Sequence, residues 1–293
     1  MGPTGAGKST FINYATQQDG GSVGHDVIPE TPAVLAVRSR HPADHGSIVF
    51  VETPGFVETP GSVDTCRSDI EILGQIASWF VKAYKEHVPV SAILYLHRID
   101  NNRIAGTPLK NLQIFASICG QGAMPRVTVV TTMWSDTTAV MGERRETELK
   151  GTFWAGMIAA GCNVQRFGDS YQSAWQILGE LPTGEENIIL AREIYHDKKN
   201  INETAAGIKL TEELSRLIAD QKAATRRMEE QVNGQSNPVL VAELQRRQGD
   251  IEENIGGVAA QLQQLKIPTS RKISSFFTGK KARISGVYVP GNR

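Results

Sequence analysis

The chain has 293 residues, 40% of them hydrophobic and 21% charged, and its 31 basic and 31 acidic residues leave a formal net charge of +0. That composition suits one sizeable soluble domain with an appendage, and its neutrality argues against nucleic acid as a partner. No apolar stretch reaches the ~18 residues of a membrane span, and Cys66, Cys119 and Cys162 show no metal-ligand spacing, so reduced thiols in a cytoplasmic protein are expected.

The chain opens on Gly2, Pro3, Thr4, Gly5, Ala6, Gly7, Lys8 and Ser9, which fit the phosphate-cradle pattern G-x-x-x-x-G-K-[ST]. Such a loop wraps phosphates with backbone N–H groups, and glycines let the chain approach closely. Lys8 is expected to reach the outer phosphates and the Ser9 hydroxyl to ligate Mg²⁺. Thr10 follows in a helix predicted over 9–17, whose positive end points at the anion. In folds that use this loop a central strand runs into it, yet only Met1 precedes Gly2. The expectation is therefore a chain shortened at its N-terminus. Losing that strand removes several aliphatic side chains worth roughly 1.5–3 kcal/mol each, so the polypeptide as written is expected to fold poorly and bind nucleotide weakly.

Residues 33–38 and 47–52 read as neighbouring strands joined by a polar turn, 40–46. Residues 69–86 form an amphipathic helix carrying Ile70, Leu73, Ile76, Phe80 and Tyr84. A buried strand follows at 90–97, then a helix at 108–119 with proline in its first turn, a strand at 126–132, a helix at 142–160, a strand at 163–167 and a helix at 171–178. Strands alternating with helices predict an α/β fold: a mainly parallel sheet with helices on both faces, of the P-loop NTPase type, its first strand missing. This G domain is assigned residues 1–182. Residues 183–267 carry heptad spacing through Leu210, Leu214, Leu217, Gln221, Ala224 and Met228, and again through Val241, Leu244, Gln248, Ile251, Ile255, Val258, Leu262 and Leu265. The turn cluster 233–238 makes them a helical hairpin, with Gln221 expected opposite Gln248. Whether it projects to meet a protein partner or lies on the sheet domain stays open. Residues 268–293 hold basic residues around Phe276 and Phe277 and no acid. They read as a solvated tail or as a contact for an anionic membrane surface.

The run Ile48–Phe56 is an apolar strand ending in Glu52, then Thr53, Pro54 and Gly55. That is the layout of a sensor in which the acid holds Mg²⁺ through water and the glycine N–H meets the γ-phosphate. Thr31, just before the first of the two strands, is the best-placed threonine for a first switch touching both metal and phosphate. Phe56 follows Gly55 and cannot orient an attacking water, so hydrolysis is expected to be slow or assisted by another group, with His25 and Arg98 as candidates.

The phosphate loop, Glu52–Phe56, the run 92–100 and Val130-Thr131-Thr132-Met133-Trp134 occur in order. Over residues 1–180 the chain thereby resembles fungal G-domain-containing proteins, relatives of the immunity-associated GTPases, septins and chloroplast Toc receptors. The resemblance implies GTP and GDP as ligands with Mg²⁺, a homodimer through the G domain, and Arg98 reaching the partner's nucleotide. The family's base reader departs here: after Thr132 the acid's place holds Ser135, and Asp136 lies one residue late. A shifted loop would bring Asp136 to the base, and Phe167 in the run 166–170 would flank the ring. Without that shift guanine selectivity is weak.

Three functions follow from these readings. The first is a GTP-binding, slowly hydrolysing switch or assembly module. The second is a base-promiscuous P-loop NTPase, and the third a non-catalytic scaffold whose degraded G domain presents the hairpin.

Overall fold

The computed structural model describes residues 1–17, 34–42, 46–56, 68–100, 107–179, 188–233 and 238–266. The elements are α1 (Lys8–Thr16), β1 (Leu35–Arg40), β2 (Ser47–Glu52), α2 (Asp69–Lys85), β3 (Ile93–Arg98), α3 (Thr107–Cys119), β4 (Val127–Thr132), α4 (Ala139–Gly151), α5 (Ala155–Ala159), β5 (Asn163–Arg166), α6 (Tyr171–Leu178), α7 (Ile189–Tyr195), α8 (Ala205–Asn233) and α9 (Pro238–Lys266). The α/β expectation holds. Strands β3, β4 and β5 form a parallel sheet in that order, with Arg98 opposite Thr132 and Thr131 opposite Arg166.

Strands β1 and β2 make a separate antiparallel pair, Leu35 opposite Glu52. Met1 takes one rung on the free side of β3: its amino group donates to Leu94 O (2.7 Å) and its carbonyl accepts from Leu96 N (2.9 Å). These bonds are the pattern of a parallel ladder. Gly2 continues from it with φ 142°, and a Cβ there would lie 2.5 Å from Leu96 O, so only glycine fits.

Side chains alternate along β3. Tyr95 faces a core built with Leu73, Ile76 and Phe80 of α2 and Ile114, Phe115 and Ile118 of α3. Leu94 and Leu96 face a second core with Phe11, Phe50, Val130, Phe167 and Ile177. Helix α2 starts sharply because Ser68 and Glu71 form a capping box, a device worth about 1 kcal/mol. A buried ion pair, Lys110 Nζ to Asp69 Oδ2 at 2.6 Å, ties α2 to α3.

The helix expected over 142–160 is broken into α4 and α5. Thr152, Phe153 and Trp154 interrupt it: they are weak helix formers, and Trp154 turns inward to 1% exposure, edge-on to His97 with ring centroids 5.5 Å apart.

The helical hairpin forms, and its base lies on the sheet domain. Leu210, Leu214 and Val258 are fully buried in the core that includes α2 and α3. The N-terminus of α8 is closed by Glu193 of α7, whose carboxylate accepts from Ala205 N at 3.0 Å. No hydrogen bond joins Gln221 to Gln248. Gln248 donates instead to Glu229 at 3.3 Å, while Gln221 Oε1 is buried without a hydrogen-bond partner. Residues 234–237 and 267–293, hence most of the turn cluster and the basic tail, lie outside the described residues. Among the described residues no helix is long and apolar enough to cross a membrane.

Candidate functional site

The loop 2–7 leads from the rung at Met1 into α1. Helix α1 begins with no side-chain cap and no acid in its first turn, so its first N–H groups are presented for an anion. Pro3 and Ala6 are buried beneath the loop, while Thr4 and Gly5 are exposed at its crest. Lys8 folds back inside it: Nζ donates to Pro3 O at 2.9 Å and Gly2 O at 3.3 Å. Burial pushes the Lys8 ammonium down to about 8, against an opposing pull from Glu52.

Strand β2 carries Glu52 to the same place. Ser9 Oγ donates to Glu52 Oε1 at 2.6 Å, and Glu52 is 8% exposed. Beyond it Gly55 presses on the loop: a Cβ there would lie 2.6 Å from Thr4 N and 2.7 Å from Thr4 Oγ1. Phe56 turns away into the core at 2% exposure. The structure thus brings together Lys8, Ser9, Glu52 and Gly55. Thr10 is half-buried in the first turn of α1. Thr31 and His25 lie outside the described residues.

The ends of β3 and β4 close the other side. Thr132 is 2% exposed, and its hydroxyl bonds to Ala6 O at 3.1 Å and His97 O at 3.3 Å. It therefore ties the strands to the loop. Arg98 lies beside Gly5 of its own chain, where a built Cβ would sit 3.6 Å from Nη1. Asp100 accepts from Arg98 Nε at 3.0 Å and Nη2 at 2.6 Å, and that guanidinium holds the Asp100 carboxyl below its usual range.

After β4, Met133 takes φ 59° and sets its terminal methyl 3.7 Å from where a Cβ of Gly7 would be. The Trp134 indole donates to Thr131 Oγ1 at 3.0 Å and is covered by the Arg166 guanidinium, 4.3 Å from the ring centre. Glu146 anchors Arg166 at 2.6 Å. Asp136 is exposed and accepts from Ser135 Oγ at 3.2 Å. Asp169 stands near enough that the Asp136 charge joins desolvation in raising its pKa. Phe167 does not flank the base side. It is 1% exposed and packs on Phe11 and Tyr14, with centroids 5.0 and 5.7 Å away. Period-two alternation turns it inward.

Sequence reasoning gave no role to Asp100, Asp169 or the Trp134–Arg166 stack. Asp100 had a signal, an acid two residues from Arg98. The stack had none, since Trp134 follows β4 and Arg166 ends β5, 32 positions on. Among the described residues no group of three or more His, Cys, Asp or Glu could hold a metal alone.

No family model and no curated protein matches the chain. Solved structures do. Toc33 from Arabidopsis thaliana in complex with GDP and Mg²⁺ is 20% identical, with TM-score 0.42, over 57% of this chain and 67% of that one. Toc33 in complex with Mg²⁺ and GMPPNP is 18% identical, with TM-score 0.43, over the same shares. The bacterial selenocysteine-specific elongation factor EF-Sec is 15% identical, with TM-score 0.41, over 61% of this chain and 27% of that one.

Proposed function

We propose that this chain binds GTP and GDP with Mg²⁺ at the Gly2–Ser9 loop and hydrolyses GTP slowly, as a nucleotide-dependent switch or assembly module. The observation that carries the reading is the convergence of Lys8, Ser9 and Glu52 at an uncapped helix N-terminus, with Ser9 and Glu52 2.6 Å apart. Their hydroxyl and carboxylate oxygens suit Mg²⁺, which takes one or two protein oxygens alongside phosphates and water. Ser9 and Glu52, with Thr31 on sequence grounds, would hold the ion, and it would neutralise charge on the outer phosphates.

The chain's own groups do the rest. Backbone N–H groups of the loop and of α1 receive the phosphates. Lys8, now spent on loop carbonyls, turns its charge to them. Gly55, already against Thr4, reads the terminal phosphate. No polar group stands at Phe56 to orient water, which supports slow turnover. Asp136 reads the base from an exposed loop. Pairing of two copies through this domain, with the hairpin available to a protein partner, belongs to the same proposal. Competition between GTP and ATP for the protein, with Lys8→Ala as control, tests it. Preference for GTP that disappears in the variant supports the reading. Equal competition favours a base-promiscuous NTPase, and no binding favours a scaffold.

A further inference from the structure

We propose that α9 pairs two copies of this chain: its exposed face around Gly249 packs antiparallel on the same face of a second copy. The proposal stands on the hairpin alone and goes beyond the nucleotide reading, which it does not need.

The apolar stripe of α9 runs through Val241, Leu244, Ile251 and Val258, all half-buried or buried. A different face carries Ala242, Gln245, Arg246, Gly249, Glu252, Glu253 and Gly256. Their i, i+3, i+4, i+7 spacing lines them up along one side of the helix, and every one of them is exposed. Gly249 and Gly256 lie inside a 29-residue helix, where glycine is less favourable than alanine. Packing within the chain does not call for it there, because a Cβ built at either position meets no atom within 4 Å. Gly207 near the start of α8 is the contrast, since a Cβ there would run into Ile201 O. The absent side chains leave room for another helix to approach at the short end of the usual interaxial range of about 8–10 Å.

The charges beside Gly249 select that helix. A twofold axis through Gly249, perpendicular to α9, sets Arg246 against Glu252 of the second copy. The same axis sets Gln245 against its Glu253 and Ala242 against its Gly256, and each pair occurs twice. On this face the base precedes Gly249 and the acids follow it. Antiparallel pairing therefore joins opposite charges, whereas parallel pairing in register would oppose like ones. Within one chain Arg246 is held by Glu243 at 3.1 Å and Asp250 at 3.4 Å, and Glu252 accepts from Gln248 at 3.2 Å. These exposed contacts between neighbours on one helix are weak, so they compete poorly with a partner. One helix face makes a small interface, and the pairing belongs to the micromolar range.

Sedimentation velocity of the full chain, without nucleotide or Mg²⁺ and from about 1 to about 100 µM protein, tests the proposal. Wild type is compared with Gly249→Leu, Arg246→Glu, Glu252→Arg and an equimolar mixture of the last two. Wild type is expected to dimerise reversibly and Gly249→Leu to stay monomeric. Leucine is the better helix former, so circular dichroism separates lost pairing from lost folding. Arg246→Glu and Glu252→Arg should each weaken association roughly tenfold or more. Their mixture should recover it, because each acid then meets a base on the other chain. A wild type that stays monomeric at about 100 µM overturns the proposal. So does a dimer that Gly249→Leu leaves intact, or a mixture no tighter than its two components. Because no nucleotide is present, none of these outcomes depends on the phosphate-loop reading.

Discussion

The Ser9 hydroxyl and the Glu52 carboxylate meet at 2.6 Å, although they lie 43 positions apart in the chain. This contact joins the phosphate loop to β2, and Ser9 and Glu52 there would supply two hard oxygens to hold a divalent ion. Ser9→Ala and Glu52→Gln should each reduce GTP affinity in Mg²⁺ toward the value measured with EDTA, while wild type keeps a clear difference between the two conditions. Ser9→Ala should also lower folding stability by about 1–3 kcal/mol, because a mostly buried carboxylate loses a donor. Urea melts of the nucleotide-free protein check the second effect.

Lys8 supplies a proton signature. Its ammonium is held down to about 8 from the ordinary lysine value of 10.5, chiefly by burial. Between those values the unfolded chain binds a proton that the folded chain does not, so the Lys8 penalty is full below pH 8 and fades as pH rises toward 10.5. An anion in the loop raises the Lys8 pKa again. Binding a triphosphate above pH 8 should therefore take up protons, seen by calorimetry in buffers of different ionisation enthalpy. Heats that do not depend on the buffer would show that Lys8 does not meet the phosphates.

His97 gives the opposite end of the pH scale. Burial beside Trp154 lowers it from 6.5 to about 4, and its Nε2 is without a hydrogen-bond partner. The unfolded chain takes a proton near 6.5 that the folded ring refuses until about pH 4. Stability is thus fully present above 6.5 and is lost as pH falls through that window. His97→Phe should flatten the stability profile there. An unaltered profile would assign the acid sensitivity to other groups.

The Asp69–Lys110 pair joins the helix after Gly55 to α3, with side chains 1% and 5% exposed. Asp69→Asn or Lys110→Met alone leaves an uncompensated buried charge or polar group and should cost about 3–5 kcal/mol. Replacing both with apolar residues of similar size should recover most of that. A double-mutant cycle in urea measures the coupling, and additive single effects would contradict it.

These residues mark what sequence can and cannot carry. Gly2–Ser9 and Glu52–Gly55 were legible because each is a local pattern whose chemistry needs contiguous residues. So was the alternation of strands and helices. Lys110 as partner of Asp69 was not, because long-range pairing leaves no periodic trace. Gln221 was matched to Gln248 by counting from the turn, but a long amide side chain takes whichever partner lies in reach, and Gln248 bonds to Glu229. Phe167 was placed at the base by its loop, yet its strand parity sends it inward onto Phe11.

Isothermal titration of the nucleotide-free protein with Mg²⁺ and GTP, carried to millimolar nucleotide beside a Lys8→Ala control, bears most directly on the whole account. Saturable heat with wild type and none with the variant is the predicted result. Silence from the wild type with every purine nucleoside triphosphate, or equal binding by both proteins, would contradict it.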